Sequence, residues 1–241
     1  MNGLKLSLIV STLLIFTGCG GGGGDSADGA GSIVIGPLTQ IASVADAKTS
    51  FQSTSALDSV NSASSQNGGN QKQQRTSAYK TTDTYSCTSG TITIIVDGLN
   101  ETFIANQCSI DDTYMNGTIS TVALSDGSEK NTLTNLTIRY GEISLQTASF
   151  VDVEHLDEHW YTIDGTISIT SACFTGNYEF ETIEKLYETA DGSAVISGIF
   201  ELNGARYTFE NPNVTIKVGD EEETIPQSEL EQRMSNTTTC I

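Results

Sequence analysis

The stretch VDVEHLDEHWYTIDG, residues 151–165, gathers both histidines of the chain and its one tryptophan among several carboxylates. If residue type alone marks a place for chemistry, it marks His155, Asp157, Glu158, His159, Trp160 and Tyr161. His155 and His159 stand four apart, the spacing at which two imidazoles share a metal on one helix face. On a strand that spacing separates their Cα atoms by about 13 Å, too far for one zinc, so only a turn at residues 156–158 would bring them together. Trp160 between His159 and Tyr161 has the composition of a glycan-stacking site. An ordinary hairpin with an exposed polar tip is the expected arrangement, with no metal, no cofactor and no catalytic residue assigned. The motifs of common reaction centres are missing from the sequence: there is no G-x-S-x-G, P-loop or H-E-x-x-H, and no G-x-G-x-x-G that follows a strand and opens a helix. DTYMNG, Asp112 to Gly117, starts like a calcium loop, but Tyr114 sits where an oxygen ligand is needed and Ala123 where the bidentate acid belongs.

The five cysteines are Cys19, Cys87, Cys108, Cys173 and Cys240, and Cys19 differs from the rest in what precedes it. Lys5 is followed by the apolar run Leu6 to Phe16, then by small Thr17 and Gly18. A charged start, a short apolar core and a small-residue cleavage point make a secretory signal. An eleven-residue helix at about 1.5 Å per residue covers about half of a 30 Å hydrocarbon core, so the run is a removed signal rather than a span. Phe16-Thr17-Gly18-Cys19 resembles the lipobox of bacterial lipoproteins, with Phe16 in place of the usual Leu. The resemblance covers residues 1–20 only. It implies that residues 1–18 are cut away, that the Cys19 thiol is diacylated and that the new amino terminus is acylated. Gly20 is similar to the second residue of family members sorted to the outer membrane, those kept at the inner membrane usually having Asp there.

The five glycines after Cys19 then open a tether, since Gly tolerates the backbone angles a chain needs to turn freely beside a lipid headgroup. From residue 19 to about 80 the chain is Ser, Ala, Gly, Gln, Asn and Thr with few large apolar residues, the composition of a disordered linker. Within it Ile41, Val44, Phe51, Leu57 and Val60 fit a helical period loosely, so a helix over about 41–60 docked on the following domain is the one element to look for. The chain carries 11 Lys and Arg against 30 Asp and Glu, a formal charge of −19. Loss of Lys5 with the signal leaves 10 against 30, or −20. Such a surface repels nucleic acid and anionic headgroups. Contact with the membrane is therefore expected through the lipid at Cys19, and the remaining partner is an envelope protein or glycan.

Residues 81–241 read as one all-β domain. Runs such as GTITIIV, TLTNLTIRY, SAVISGIFEL and NVTIKV are rich in β-branched and aromatic residues and are punctuated by Asp97-Gly98, Asp126-Gly127, Asp191-Gly192 and Asn203-Gly204. The expected architecture is an antiparallel meander of about ten strands, as a sandwich, a curled open sheet or a barrel-like form. Gly90, Gly117, Gly165 and Gly198 each precede a short Thr/Ile/Phe strand, at spacings too uneven for a solenoid. Asn-x-Thr triplets at Asn100, Asn116, Asn135, Asn213 and Asn236 read as turn asparagines before Thr-rich strands, without glycosylation.

Two hairpins set explicit registers. A two-residue turn at Asn203-Gly204 puts Phe200 opposite Tyr207 and Glu201 opposite Arg206, which places Ile196, Phe200, Leu202, Tyr207 and Phe209 in the core. A two-residue turn at Asp97-Gly98 carries Cys87 to a position opposite Cys108, at a non-hydrogen-bonded pair with Cα atoms about 4.5 Å apart. In that register Ile92, Ile94, Val96, Leu99 and Phe103 face the core and the disulfide lies on the Thr-rich face. Cys173 then joins Cys240 by elimination, in the oxidising setting an exported chain meets. The expected function is that of an outer-membrane-anchored envelope lipoprotein acting as a binding or structural module. The alternative is a hydrolase of an envelope polymer or glycan, or a glycan-binding module.

Overall fold

The computed structural model describes residues 32–51, 80–111, 113–171, 175–190 and 194–235. Twelve strands form one sheet: β1 (Lys80–Ser86), β2 (Ser89–Asp97), β3 (Asn100–Ile110), β4 (Thr113–Ala123), β5 (Glu129–Tyr140), β6 (Ile143–His155), β7 (Trp160–Thr170), β8 (Thr175–Glu188), β9 (Val195–Leu202), β10 (Ala205–Glu210), β11 (Asn213–Val218) and β12 (Glu221–Pro226). Every strand pairs antiparallel with its sequence neighbour and the order is β1 to β12 without a crossover, so β1 and β12 are free edges and the sheet is open. The meander is as expected, with two strands more. The edge strands KTTDTYS and EEETIP bury almost nothing, and the apolar signal that identifies a strand is absent from both.

The core lies on one face. A single lateral row runs through directly opposed residues from Phe103 through Ile119, Leu133, Phe150, Gly165, Phe180 and Leu202 to Ala205, crossing β3 to β10. Residues as far apart as Ile92 on β2 and Ile225 on β12 belong to the same apolar cluster, so the sheet curls around what it buries. The four echoing glycines supply that curvature. All have positive φ, and each sits at or beside a register shift with an adjoining strand. Gly117, Gly165 and Gly198 mark mid-strand kinks, not the turns that recurring Gly suggests, whereas Gly90 stands at the start of β2 beside the β1–β2 turn.

Gly165 shows why no side chain fits. It lies on β7 between Phe150 and Phe180, whose rings meet edge to face at 5.8 Å across it. With φ at +138°, a Cβ there would stand 2.6 Å from the Ser149 carbonyl oxygen and 2.7 Å from Phe150 Cα. Gly165→Ala is expected to lose about 3 kcal/mol, read as a lower urea midpoint. An unchanged midpoint would mean that the kink is not set by this close approach.

Part of the expected tether is instead docked on the sheet. Residues 32–43 run from the middle of β5 to the β9–β10 turn, held where Asn135 Oδ1 accepts the Ile33 amide at 3.2 Å, Asn177 O accepts that of Thr39 at 2.8 Å and Asn203 Nδ2 donates to Thr39 O at 2.7 Å. Helix α1 (Val44–Phe51) follows, shorter than the 41–60 segment considered, whose Leu57 and Val60 lie outside the described residues. Ser43 caps it: its Oγ accepts the Asp46 amide while Asp46 Oδ2 accepts the Ala42 amide and the Ser43 hydroxyl. Val44, Ala47, Lys48 and Phe51 form the buried face. Lys48 Nζ reaches Glu223 of β12 at 2.7 Å and Glu229 at 3.7 Å, and Tyr207 OH of β10 donates to Ala47 O at 2.8 Å. Glu229 belongs to α2 (Gln227–Ser235), which buries Leu230 and places Gln227 so that its amide, suitably oriented, exchanges two hydrogen bonds with the Val195 backbone. Two helices thus pack at the C-terminal end of the sheet, while β12 itself stays largely exposed.

The hairpin at Asn203-Gly204 has the expected register, Phe200 opposite Tyr207 and Glu201 opposite Arg206, and Arg206 Nε donates to Glu201 Oε1 at 2.9 Å. Phe200, Leu202, Tyr207 and Phe209 are buried, but Ile196 is 42% exposed. The kink at Gly198 inverts the alternation, so Val195 rather than Ile196 shares a face with Phe200.

The disulfide Cys87–Cys108 is present, with Cα atoms 5.5 Å apart, but not by the route that the hairpin implied. The β2–β3 turn is Gly98-Leu99, one residue further on, so Val96 faces Glu101 and Leu99 is exposed. That register alone would separate the cysteines. Cys87 instead sits in the β1–β2 turn, where its amide donates to Gly90 O, and the shift around Gln107 brings Cys108 to the core face beside Met115. The bridge therefore packs on the apolar side, not on the Thr-rich one. Its loop of about twenty residues is worth roughly 3 kcal/mol in the chain-entropy model. Cys19, Cys173 and Cys240, with Asn236 and the signal at 1–18, lie outside the described residues.

Candidate functional site

The segment that holds the chemistry-bearing side chains is the β6–β7 hairpin, and its two faces differ. On the outer face His155 and Trp160 are the closing pair, and Leu156 to His159 make the turn, with His159 at a φ of +53°. The Glu158 amide donates to His155 Nδ1 at 3.1 Å, so the ring proton belongs on Nε2, which donates to Asp126 O at 2.9 Å. Both imidazole nitrogens are engaged within the fold. Among the described residues no group of three or more His, Cys, Asp or Glu is placed to hold a metal ion.

Trp160 and Tyr161 do not form a stacking platform. Trp160 is buried, with Lys185 Nζ 3.4 Å from its ring centroid and the His155 ring 5.5 Å away, and its indole N–H donates to Glu158 Oε2 at 2.8 Å. Tyr161 points to the other face and is 1% exposed. Only Leu156, Asp157 and Glu158 form an exposed tip, with His159 half-buried.

These contacts stitch neighbouring turns together. Asp126 belongs to the β4–β5 turn, where the Ser128 hydroxyl donates to its carboxylate at 2.6 Å and the Ser128 amide at 3.0 Å, which hold its pKa below the ordinary carboxylate value. Through its carbonyl it fixes the β6–β7 turn at His155. Asn100, at the foot of the β2–β3 turn, accepts the Ala123 amide beside the β4–β5 turn at 3.1 Å. The His159 carbonyl accepts the Glu188 amide at 2.9 Å, adding the end of β8.

On the core face the same hairpin buries acids that the charge balance had assigned to the surface. Thr121 of β4 donates to Asn131 Oδ1 at 2.8 Å, and Asn131 Nδ2 donates to Asp152 Oδ2 at 2.9 Å, a ladder across three strands. Asp152 is 4% exposed, its Oδ1 has no hydrogen-bond partner among the described residues, and Glu154 follows two residues on along the same face. Burial first, and then the Glu154 charge, push the Asp152 carboxyl up to about 7 against the opposing Asn131 hydrogen bond. A carboxyl that keeps its proton near neutral pH is what a general acid requires. Here it is covered, so its effect falls on stability. Asp152 and Glu154 were missed because Val151 and Val153 between them present the more apolar alternate face. The signal that identifies them is their phase with Phe150.

No family model matches this chain, and no curated protein and no solved structure matches it.

Proposed function

We propose that this chain is an outer-membrane-anchored envelope lipoprotein whose curled sheet serves as a binding or structural module. The observation that carries the reading is Phe16-Thr17-Gly18-Cys19 after the apolar run Leu6 to Phe16. The Cys87–Cys108 disulfide supports it, because such bridges persist in oxidising compartments outside the cytosol. Several acyl chains anchor durably where one would be marginal. The hydrolase alternative would need a substrate to reach the Asp152 carboxyl beneath its neighbours.

The wild-type chain is expected to partition into detergent and sediment with membranes, with a mature N-terminal peptide that begins at acylated Cys19. Cys19→Ser is expected to be soluble or to accumulate as uncleaved precursor. A mature chain with an unmodified Cys19 thiol in its mass spectrum would overturn the proposal.

A further inference from the structure

Three successive turns at one end of the sheet each expose a leucine. Leu99 of the β2–β3 turn is 52% exposed, Leu124 of the β4–β5 turn 38% and Leu156 of the β6–β7 turn 51%. The described residues of the turns at the opposite end carry Cys87, Thr88, Asp111, Gly141, Glu142, Ser171, Asn203, Gly204, Gly219 and Asp220, with no large aliphatic side chain. A single exposed leucine is ordinary, but a row of three that each leave 38 to 52% of their surface uncovered in successive turns is not explained by folding.

The row is also held rigid. The Asn100 to Ala123 bond joins the first turn to the second and the His155 to Asp126 bond joins the second to the third. Adjacent leucines lie two strands apart, about 10 Å, so the row spans about 20 Å. Seven residues of α-helix advance about 10.5 Å, so a helix with apolar residues every seventh position meets all three. The turns themselves are acidic: the second and third carry Asp126, Asp157 and Glu158 and no Lys or Arg, Lys80 beside the first is paired with Asp97 at 2.8 Å, and Lys130 stands exposed at the start of β5. Anionic headgroups would be repelled here, and so would a second copy of this acidic chain.

We infer that the rim formed by Leu99, Leu124 and Leu156 docks an amphipathic, basic α-helix of a partner protein. The apolar stripe of the helix covers the three leucines and its flanking Lys or Arg residues face Asp126, Asp157 and Glu158. The inference does not rest on the lipid anchor, and its test is made in full-length Cys19→Ser protein so that no acyl chain contributes.

The probe is a synthetic helical peptide with leucines at heptad spacing and lysines beside them, followed by fluorescence anisotropy. A second peptide has glutamate in place of lysine. The Leu/Lys peptide is expected to bind about tenfold more tightly than it does to the triple variant Leu99→Ser, Leu124→Ser, Leu156→Ser, and to weaken with added salt. The Leu/Glu peptide is expected to bind more weakly still. Asp157→Lys, at an exposed turn position, is expected to weaken the Leu/Lys peptide severalfold at an unchanged thermal midpoint, which keeps the test valid should the triple variant unfold. Equal binding by wild type and either variant would overturn the inference. So would flotation with phosphatidylcholine vesicles that the triple variant loses, which would assign the rim to a membrane. A dimer in sedimentation that the triple variant abolishes would assign it to a second copy and overturn it likewise.

Discussion

At pH 8 the Asp152→Asn variant is expected to be more stable than the wild-type chain by about 3 kcal/mol, and at pH 4 it is expected to be slightly the less stable of the two, by up to about 1 kcal/mol. The Asp152 carboxyl is 4% exposed on the core face of β6 and held at about 7 in the folded chain, mainly by burial. In the unfolded chain an aspartate titrates near 3.9. Between about pH 4 and 7 the folded state keeps a proton that the unfolded state has released, so stability falls as pH rises through that window. Below it both states are protonated and nothing is lost. Above it both are ionised and the full penalty applies, about 4 kcal/mol for a shift of roughly three units. Asparagine cannot ionise and still offers an oxygen to the Asn131 amide, so most of the penalty disappears. About 1 kcal/mol is returned, because its own NH₂ faces the site where Asp152 Oδ1 has no partner among the described residues. Parallel stability curves for the two proteins from pH 4 to 8 would show that Asp152 does not titrate in this window.

What the sequence shows of this fold, and what it hides, turns on the kinks. Asn203-Gly204 could be read directly because both residues take positive φ and the flanking charges face each other, so turn and register agree. At the β2–β3 turn the same argument failed by one residue. Gly98 takes positive φ as the first of the two turn residues, and Leu99, not Asp97, is the second. The disulfide survived that error because a second irregularity, around Gly90 and Gln107, offset it. Ile196 was misplaced for the same kind of reason. A period-of-two argument holds only between kinks, and the one at Gly198 lies between Ile196 and Phe200. Where a strand shifts is decided by backbone contact with its neighbour, which no single strand's sequence records. The four recurring glycines were the visible trace of those contacts. At the candidate site, composition located the β6–β7 hairpin but not the roles within it: His155 is spent on joining turns, Trp160 on packing against Lys185 of β8, and Asp152 is buried because it shares a face with Phe150.

Phe51→Ala is expected to cost about 4 kcal/mol, although its residue lies in a segment whose composition reads as linker. The ring is fully buried, 5.3 Å from the Tyr207 ring and 6.0 Å from that of Phe200, while those two stack on each other at 4.7 Å. Truncation removes the ring's transfer free energy and leaves a cavity against two aromatic neighbours that are themselves fixed by the β9–β10 register. The remaining polar ties of α1 are weaker: Lys48 pairs with Glu223 and Glu229, both partly exposed, Glu221 accepts the Val44 amide at 3.1 Å, and the hydrogen bond from Tyr207 OH to Ala47 O is worth about 1 kcal/mol. Phe51→Leu, which keeps most of the apolar volume, is expected to lose about 1.5 kcal/mol, and Tyr207→Phe about 1 kcal/mol. The order Phe51→Ala, then Phe51→Leu, then Tyr207→Phe in urea midpoints, with faster proteolysis of the Phe51→Ala chain between residues 44 and 51, would establish α1 as part of the core. A Phe51→Ala midpoint equal to the wild-type one would show that the sheet is stable without α1, and that the twelve strands alone bury enough to hold their curl.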